Sequence, residues 1–169
     1  MNIEELTDLM DKITLSMEMS RDKQVNIDEL NEELYNEVMS TAKEEDKRNQ
    51  LNNMKNDKEE FDEMTKNALI NAKKSILQIR EEDEKKYQEA LFETLKKRTE
   101  IERKLESFKK RDLSPEKLEE AEKAANKAME KVNNKMAELE KSHFETVEKL
   151  KEYEKNIWDY AVEIGGADY

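Results

Sequence analysis

The chain of 169 residues carries 31 Lys and Arg against 43 Asp and Glu, a formal net charge of −12; charged residues make up 44% of it, hydrophobic ones 35% and aromatics 6%. A composition this polar excludes a compact globule with a deep core, and the regular recurrence of Leu, Ala and Met among Glu and Lys favours extended helix over disorder. The absence of cysteine excludes disulfides, thiolate catalysis and cysteine-ligated zinc, and two glycines, Gly165 and Gly166, leave no phosphate-cradling loop.

In chain order, Ile3, Leu6, Met10, Ile13 and Met17 fall on one stripe of a short acidic amphipathic helix over 1–24. Glu4, Glu5, Asp8, Asp11 and Glu18 interrupt the apolar stretch that a secretory signal requires, and nowhere does the sequence approach the ~18 apolar residues of a membrane span. The expectation is a cytoplasmic protein. Membrane-surface helices carry Lys and Arg on their polar face, so this acidic one is expected to dock on protein. Next, Ile27, Leu30, Leu34, Val38 and Ala42 predict a helix over about 26–45, with Asn26 placed to cap it. Residues 43–58 hold Asn49, Asn52, Asn53 and Asn56 but only Leu51 and Met54 as large apolar groups. Asparagine competes with the backbone for hydrogen bonds, so a break is expected here.

A third helix is expected over about 57–111. Leu69, Ala72, Ile76 and Ile79 form its first stripe, and Tyr87, Leu91, Leu95, Ile101, Leu105 and Phe108 resume it. Residues 80–86 between them contain no apolar side chain and read as solvated turns or a kink. The only proline, Pro115, then marks a corner. Ser114 is suited to cap the final helix, Pro115 fits its first position, where the missing N–H is not needed, and Glu116 suits its first turn.

That last helix, 115–164, has the clearest pattern. Steps of three and four run from Leu118 through Ala121, Ala125, Ala128, Val132, Met136, Leu139, His143, Thr146, Leu150, Tyr153, Ile157 and Tyr160 to Ile164, and twelve of these fourteen positions are apolar. The mean step is close to 3.5, the heptad value, with one stutter at Met136. Small residues near the corner, with Ala124 beside the seam, let helices approach closely. Leu139, Phe144, Val147, Leu150, Tyr153, Ile157 and Trp158 fill a wider space farther on. A third helix or a second subunit is expected to cover that thick end, and Leu150, Tyr153, Ile157, Trp158 and Tyr160 are the predicted dimer interface. The fold expected is all-α: an elongated antiparallel helical hairpin or three-helix coiled-coil bundle over 25–164, self-associating as a homodimer, with a frayed tail at 165–169.

Charge is unevenly spread. Residues 1–46 hold fourteen acids and four bases, whereas residues 96–111 hold the bases Lys96, Lys97, Arg98, Arg103, Lys104, Lys109, Lys110 and Arg111 against three acids. Such a local positive field suits an anionic surface such as phospholipid headgroups, or else is a solvated helix face. Nucleic acid is disfavoured as a partner by the total charge and by the lack of aromatics interleaved with the bases. The lone histidine, His143, on the final seam, reads as a core or interface residue with a satisfied hydrogen bond. With no clustered ligands and no nucleophile–base pair, neither cofactor nor metal nor enzymatic activity is expected.

Over residues 87–161 the chain resembles the BAR domains of sorting nexins. The resemblance rests on Leu91-Phe92-Glu93-Thr94-Leu95-Lys96-Lys97-Arg98, on Ala124-Ala125-Asn126-Lys127-Ala128, and on Lys135-Met136-Ala137-Glu138-Leu139-Glu140-Lys141 with Phe144. It implies a crescent-shaped antiparallel homodimer of three-helix bundles that binds or senses curved anionic membranes in vesicle trafficking, peripheral on an endosomal membrane, with the eight bases above as the contact set. The alternative is a coiled-coil adaptor or structural subunit that binds other helical proteins and touches no membrane.

Overall fold

Asn2 starts the first helix from just outside it. Its backbone is extended, and its Oδ1 accepts a hydrogen bond from the Glu5 N–H at 2.8 Å, while Glu4 and Glu5 complement the positive end of the helix dipole. The computed structural model describes residues 1–165, and in it three helices succeed one another: α1 (Ile3–Asn36), α2 (Thr41–Lys110) and α3 (Pro115–Glu163). No strand occurs among the described residues. Gly165 ends α3 with φ of 79°, the left-handed conformation that glycine adopts without a Cβ penalty. The rest of the tail expected at 165–169 lies outside the described residues.

Two helix limits differ from those expected. α1 is continuous through residue 26, so Asn26 is an exposed mid-helix residue and caps nothing. The break falls at residues 37–40, where Val38 is fully exposed and Ala42 is exposed too, and residues 43–58 are helical. Ser40 restarts the chain: its carbonyl accepts the Glu44 N–H at 3.0 Å and its Oγ a longer bond from the Lys43 N–H at 3.4 Å. Four asparagines cost a helix about 2–3 kcal/mol relative to alanine. Burial of Leu51 returns a comparable amount, and Lys47 bridges to Glu33 at 2.8 Å, so tertiary contact outweighs local preference.

The chain divides into two units, the first formed by Met1–Ile79 with the end of α3 from Glu152, the second by Arg80–Lys151. In unit 1, α1 buries Leu6, Met10, Ile13, Met17, Ser20 and Ile27, a heptad series, against Leu69, Ala72, Ile76 and Ile79 of α2 and Tyr153, Ile157 and Ala161 of α3. Directions are set by the paired side chains. Ser20 meets Asp62 and Glu33 meets Lys47, so α1 and α2 are antiparallel; Thr7 meets Tyr153, Thr14 meets Tyr160 and Arg21 meets Glu163, so α1 and α3 are parallel. The third helix expected at the thick end is α1.

Unit 2 is a two-helix hairpin closed by residues 111–114. Ser114 leads α3 as expected, its carbonyl accepting the Leu118 N–H at 3.1 Å and its Oγ the Lys117 N–H at 3.4 Å. Two helices have only a seam to bury, and here Thr94, Val132 and Leu150 are its buried members. All fourteen positions predicted for the last seam are buried or half-buried, the last of them, Ile164, just past the end of α3. On α2 the seam differs from the predicted one: Leu95 and Phe108 are exposed, and Thr94 takes the inward position, its hydroxyl donating to the Ala90 carbonyl at 2.8 Å. Residues 80–86 are helical, and Asp83 is half-buried against α3.

Candidate interaction surfaces

The predicted dimer interface is largely spent inside the chain. Leu150 is 0% exposed, Ile157 3% and Tyr153 9%, and Tyr160 is half-buried. The Tyr153 and Tyr160 hydroxyls share hydrogen bonds with those of Thr7 and Thr14 at 2.8 and 3.0 Å. Leu150, Tyr153 and Ile157 leave a second subunit little surface to contact, and within unit 1 the tyrosine hydroxyls are engaged by α1. Trp158 is the exception at 57% exposed. It stands one residue past Ile157 and so points about 100° away from the core. Phe144, one past His143, is turned outward in the same way and is exposed, contrary to its expected place in the thick seam.

Trp158 has apolar company. It lines a groove of about 170 Å³ with Lys73, Glu154 and Ile157. Ile70 and Leu77 stand three before and four after Lys73, on the same side of α2, and both are exposed, as is Val162 on α3.

All eight predicted bases are exposed. The helix does not gather them into one cluster. Lys96, Arg103 and Lys110 stand seven apart along one ridge, and Lys97 and Lys104 along another. Arg98 pairs with Glu102 at 3.5 Å and Lys110 with Glu106 at 3.9 Å, Lys96 lies over the Phe92 ring at 6.0 Å, and Arg111 over Phe108 at 5.3 Å. Among the described residues, Lys97, Arg103, Lys104 and Lys109 have no ion-pair partner within 4 Å.

Three polar constellations lie elsewhere. His143 is half-buried on the α3 seam: its Nδ1 is 2.7 Å from Asp83 Oδ2, its Nε2 is 3.3 Å from Glu84 Oε2, and its ring stacks on Tyr87 with centroids 4.1 Å apart. This is the hydrogen-bonded seam histidine that the sequence suggested. Sequence reasoning missed the second constellation. The Ser20 hydroxyl donates to Asp62 Oδ1 and the Lys58 ammonium to Oδ2, each at 2.6 Å, with Ser20 and Asp62 buried in unit 1.

The third is the bidentate pair of Arg21 with Glu163, at 2.6 and 2.8 Å. The guanidinium hydrogen bonds hold the Glu163 carboxyl below its ordinary range, with Arg21's charge adding to them and partial desolvation opposing. A carboxyl depressed in the folded state stabilises above its unfolded value, and that contribution is lost as pH falls through the folded value. Wild-type thermal midpoints are therefore expected to fall more steeply on acidification than those of Glu163→Gln. The difference should be small, since the pair is exposed and screened. Parallel acid profiles would show that the pair contributes nothing.

A cleft of about 580 Å³ opens between α1 and α2 beside Ile164, where α3 has ended. Its walls alternate Lys55, Lys58 and Lys66 with Glu59, Asp62 and Glu63. Among the described residues no group of three His, Asp or Glu is arranged to hold a metal, and no helix is long and apolar enough to cross a membrane. No protein-family model matches the chain, and neither a curated protein nor a solved structure matches it.

Proposed function

We propose that the chain is a non-enzymatic helical scaffold that associates with its own copies through the apolar face around Trp158. The supporting observation is that unit 1 packs three helices together and still leaves Trp158, Ile70, Leu77 and Val162 exposed. Exposed aromatic and aliphatic residues on an otherwise charged surface are the make-up of an interface. Sedimentation equilibrium tests this. At salt high enough to screen charge contacts, wild type should approach twice the chain mass as concentration rises, and Trp158→Asp should remain at the single mass. Equal masses for the two would leave the face without this role.

A second reading rests on the eight exposed bases. With the resemblance to sorting-nexin BAR domains, they would contact an anionic phospholipid surface in vesicle trafficking. Between residues 105 and 123, however, six acids offset five bases, so the corner itself carries no positive excess, and the protein contact is placed first. If the membrane reading holds, wild type pellets with anionic vesicles at low salt, and Lys109→Glu with Lys110→Glu and Arg111→Glu stays in the supernatant. Wild type remaining in the supernatant would end that reading.

A further inference from the structure

We infer that the outward face of α1 docks, in a second copy of the chain, on the basic ridges at the end of α2, a contact separate from the one at Trp158. α1 buries Leu6, Met10, Ile13 and Met17, and at 3.6 residues per turn its opposite side presents Glu4, Asp8, Asp11, Glu18 and Asp22, all exposed. None of these five forms an ion pair within 4 Å among the described residues. Their spacings of three, four and seven stack like charges over one another, which opposes the helix that carries them. Such a face is stabilised when cations cover it.

Unit 2 offers cations on more than one ridge of α2. Lys97, Arg103, Lys104 and Lys109 are exposed and have no ion-pair partner among the described residues. Glu4, Asp11 and Glu18 recur every seven residues on α1, and Lys96, Arg103 and Lys110 do so on α2. Two helices laid side by side with the same period bring successive turns into step, so several pairs form in one register. Each side also has an apolar member: Leu15, midway between Asp8 and Asp22, is 59% exposed, and Phe92, one turn before Lys96, is 65% exposed. Opposed fields of this kind speed encounter and fix register more than they add affinity. Because the contact joins two different surfaces, it either closes as a two-fold pair or propagates from copy to copy.

The test uses charge reversal in full-length chains that all carry Trp158→Asp, so that the apolar contact is already removed. One chain adds Asp11→Lys, Glu18→Lys and Asp22→Lys; another adds Lys96→Glu, Arg103→Glu and Lys110→Glu; a third carries all six. Every site is exposed, so helix content and melting temperature should match the parent. The parent should associate at low salt and weaken as salt rises. Each triple reversal should weaken association about tenfold or more. Mixing the two triple variants should restore it, as should the sixfold variant, because opposite charges again face one another. The inference is overturned if the parent stays monomeric at low salt, if the reversals change nothing, or if neither the mixture nor the sixfold variant recovers. It also falls if the α2 reversals abolish vesicle binding but leave association intact. Wild type that dimerises while the Trp158→Asp parent is wholly monomeric would leave the scaffold proposal standing and remove this one.

Discussion

Ile157→Asp is expected to unfold unit 1, whereas Trp158→Asp, one position on, leaves it folded. Ile157 is 3% exposed and lies in the core that α1, α2 and α3 share in unit 1, so a carboxylate there must be either desolvated or protonated. Either route costs about 4 kcal/mol or more, once the lost apolar transfer energy is included. A domain stable by about 5–15 kcal/mol has little left after such a loss. Trp158 is mostly in water already, so its replacement should shift stability by about 1 kcal/mol or less. Urea unfolding followed by far-UV circular dichroism reads both. If Ile157→Asp instead gave a folded monomer with an unchanged midpoint, Ile157 would belong to a subunit interface, as the sequence alone suggested, and α1 would not pack over it.

The contrast between these neighbours shows what the sequence conveys and what it withholds. The seam of α3 was legible because apolar residues fill nearly every heptad position from Leu118 to Ile164, and the corner because one proline comes directly after a serine. The same periodicity places Ile157 inward and Trp158 outward. Size drew Trp158 and Phe144 into the expected thick seam, where Trp158 was also an expected interface residue, whereas angle puts both outside the seam. What covers the thick end was not legible, since a helix of the same chain and a second subunit ask the same of Tyr153 and Tyr160. The break at residues 37–40 was hidden by Val38, which continues the apolar pattern, and only Ser40 marks the restart. The boundary expected between residues 24 and 26 falls within the mostly polar stretch 18–26. The one buried member of that stretch, Ser20, sits seven after Ile13 and keeps the heptad with a hydroxyl. Counting back seven from Leu69 reaches Asp62 in the same manner, so period was the available signal for that pair. A carboxylate at a core position is read as inward only once its partners are known. The basic run was legible as charge, but its division into ridges, and the ion pairs that occupy Arg98 and Lys110, depend on the helix.

Asp62→Ala is the second substitution with a large expected effect, and here the sign depends on what else is changed. The carboxylate accepts from both Ser20 and Lys58, and removing it leaves a buried hydroxyl and a partly buried ammonium without their acceptor. The expected loss is about 2–4 kcal/mol, toward the lower part because Lys58 keeps some access to water. Replacing all three together, Ser20→Ala with Lys58→Met and Asp62→Leu, removes every desolvated polar group and should leave unit 1 as stable as wild type or more so. Stability is then not what the cluster supplies. Ser20 and Asp62 are the buried polar partners that tie α1 to α2, and apolar groups alone tolerate a shift of register that a hydrogen-bonded serine and carboxylate do not. Spin labels at positions 33 and 47, whose native side chains form an ion pair at 2.8 Å, report that register directly. The triple variant should keep its melting temperature while the distance distribution broadens or acquires a second peak. A single narrow distance equal to that of wild type would mean that the apolar seam alone sets the register, and that the Ser20–Asp62–Lys58 cluster has no part in choosing how α1 meets α2.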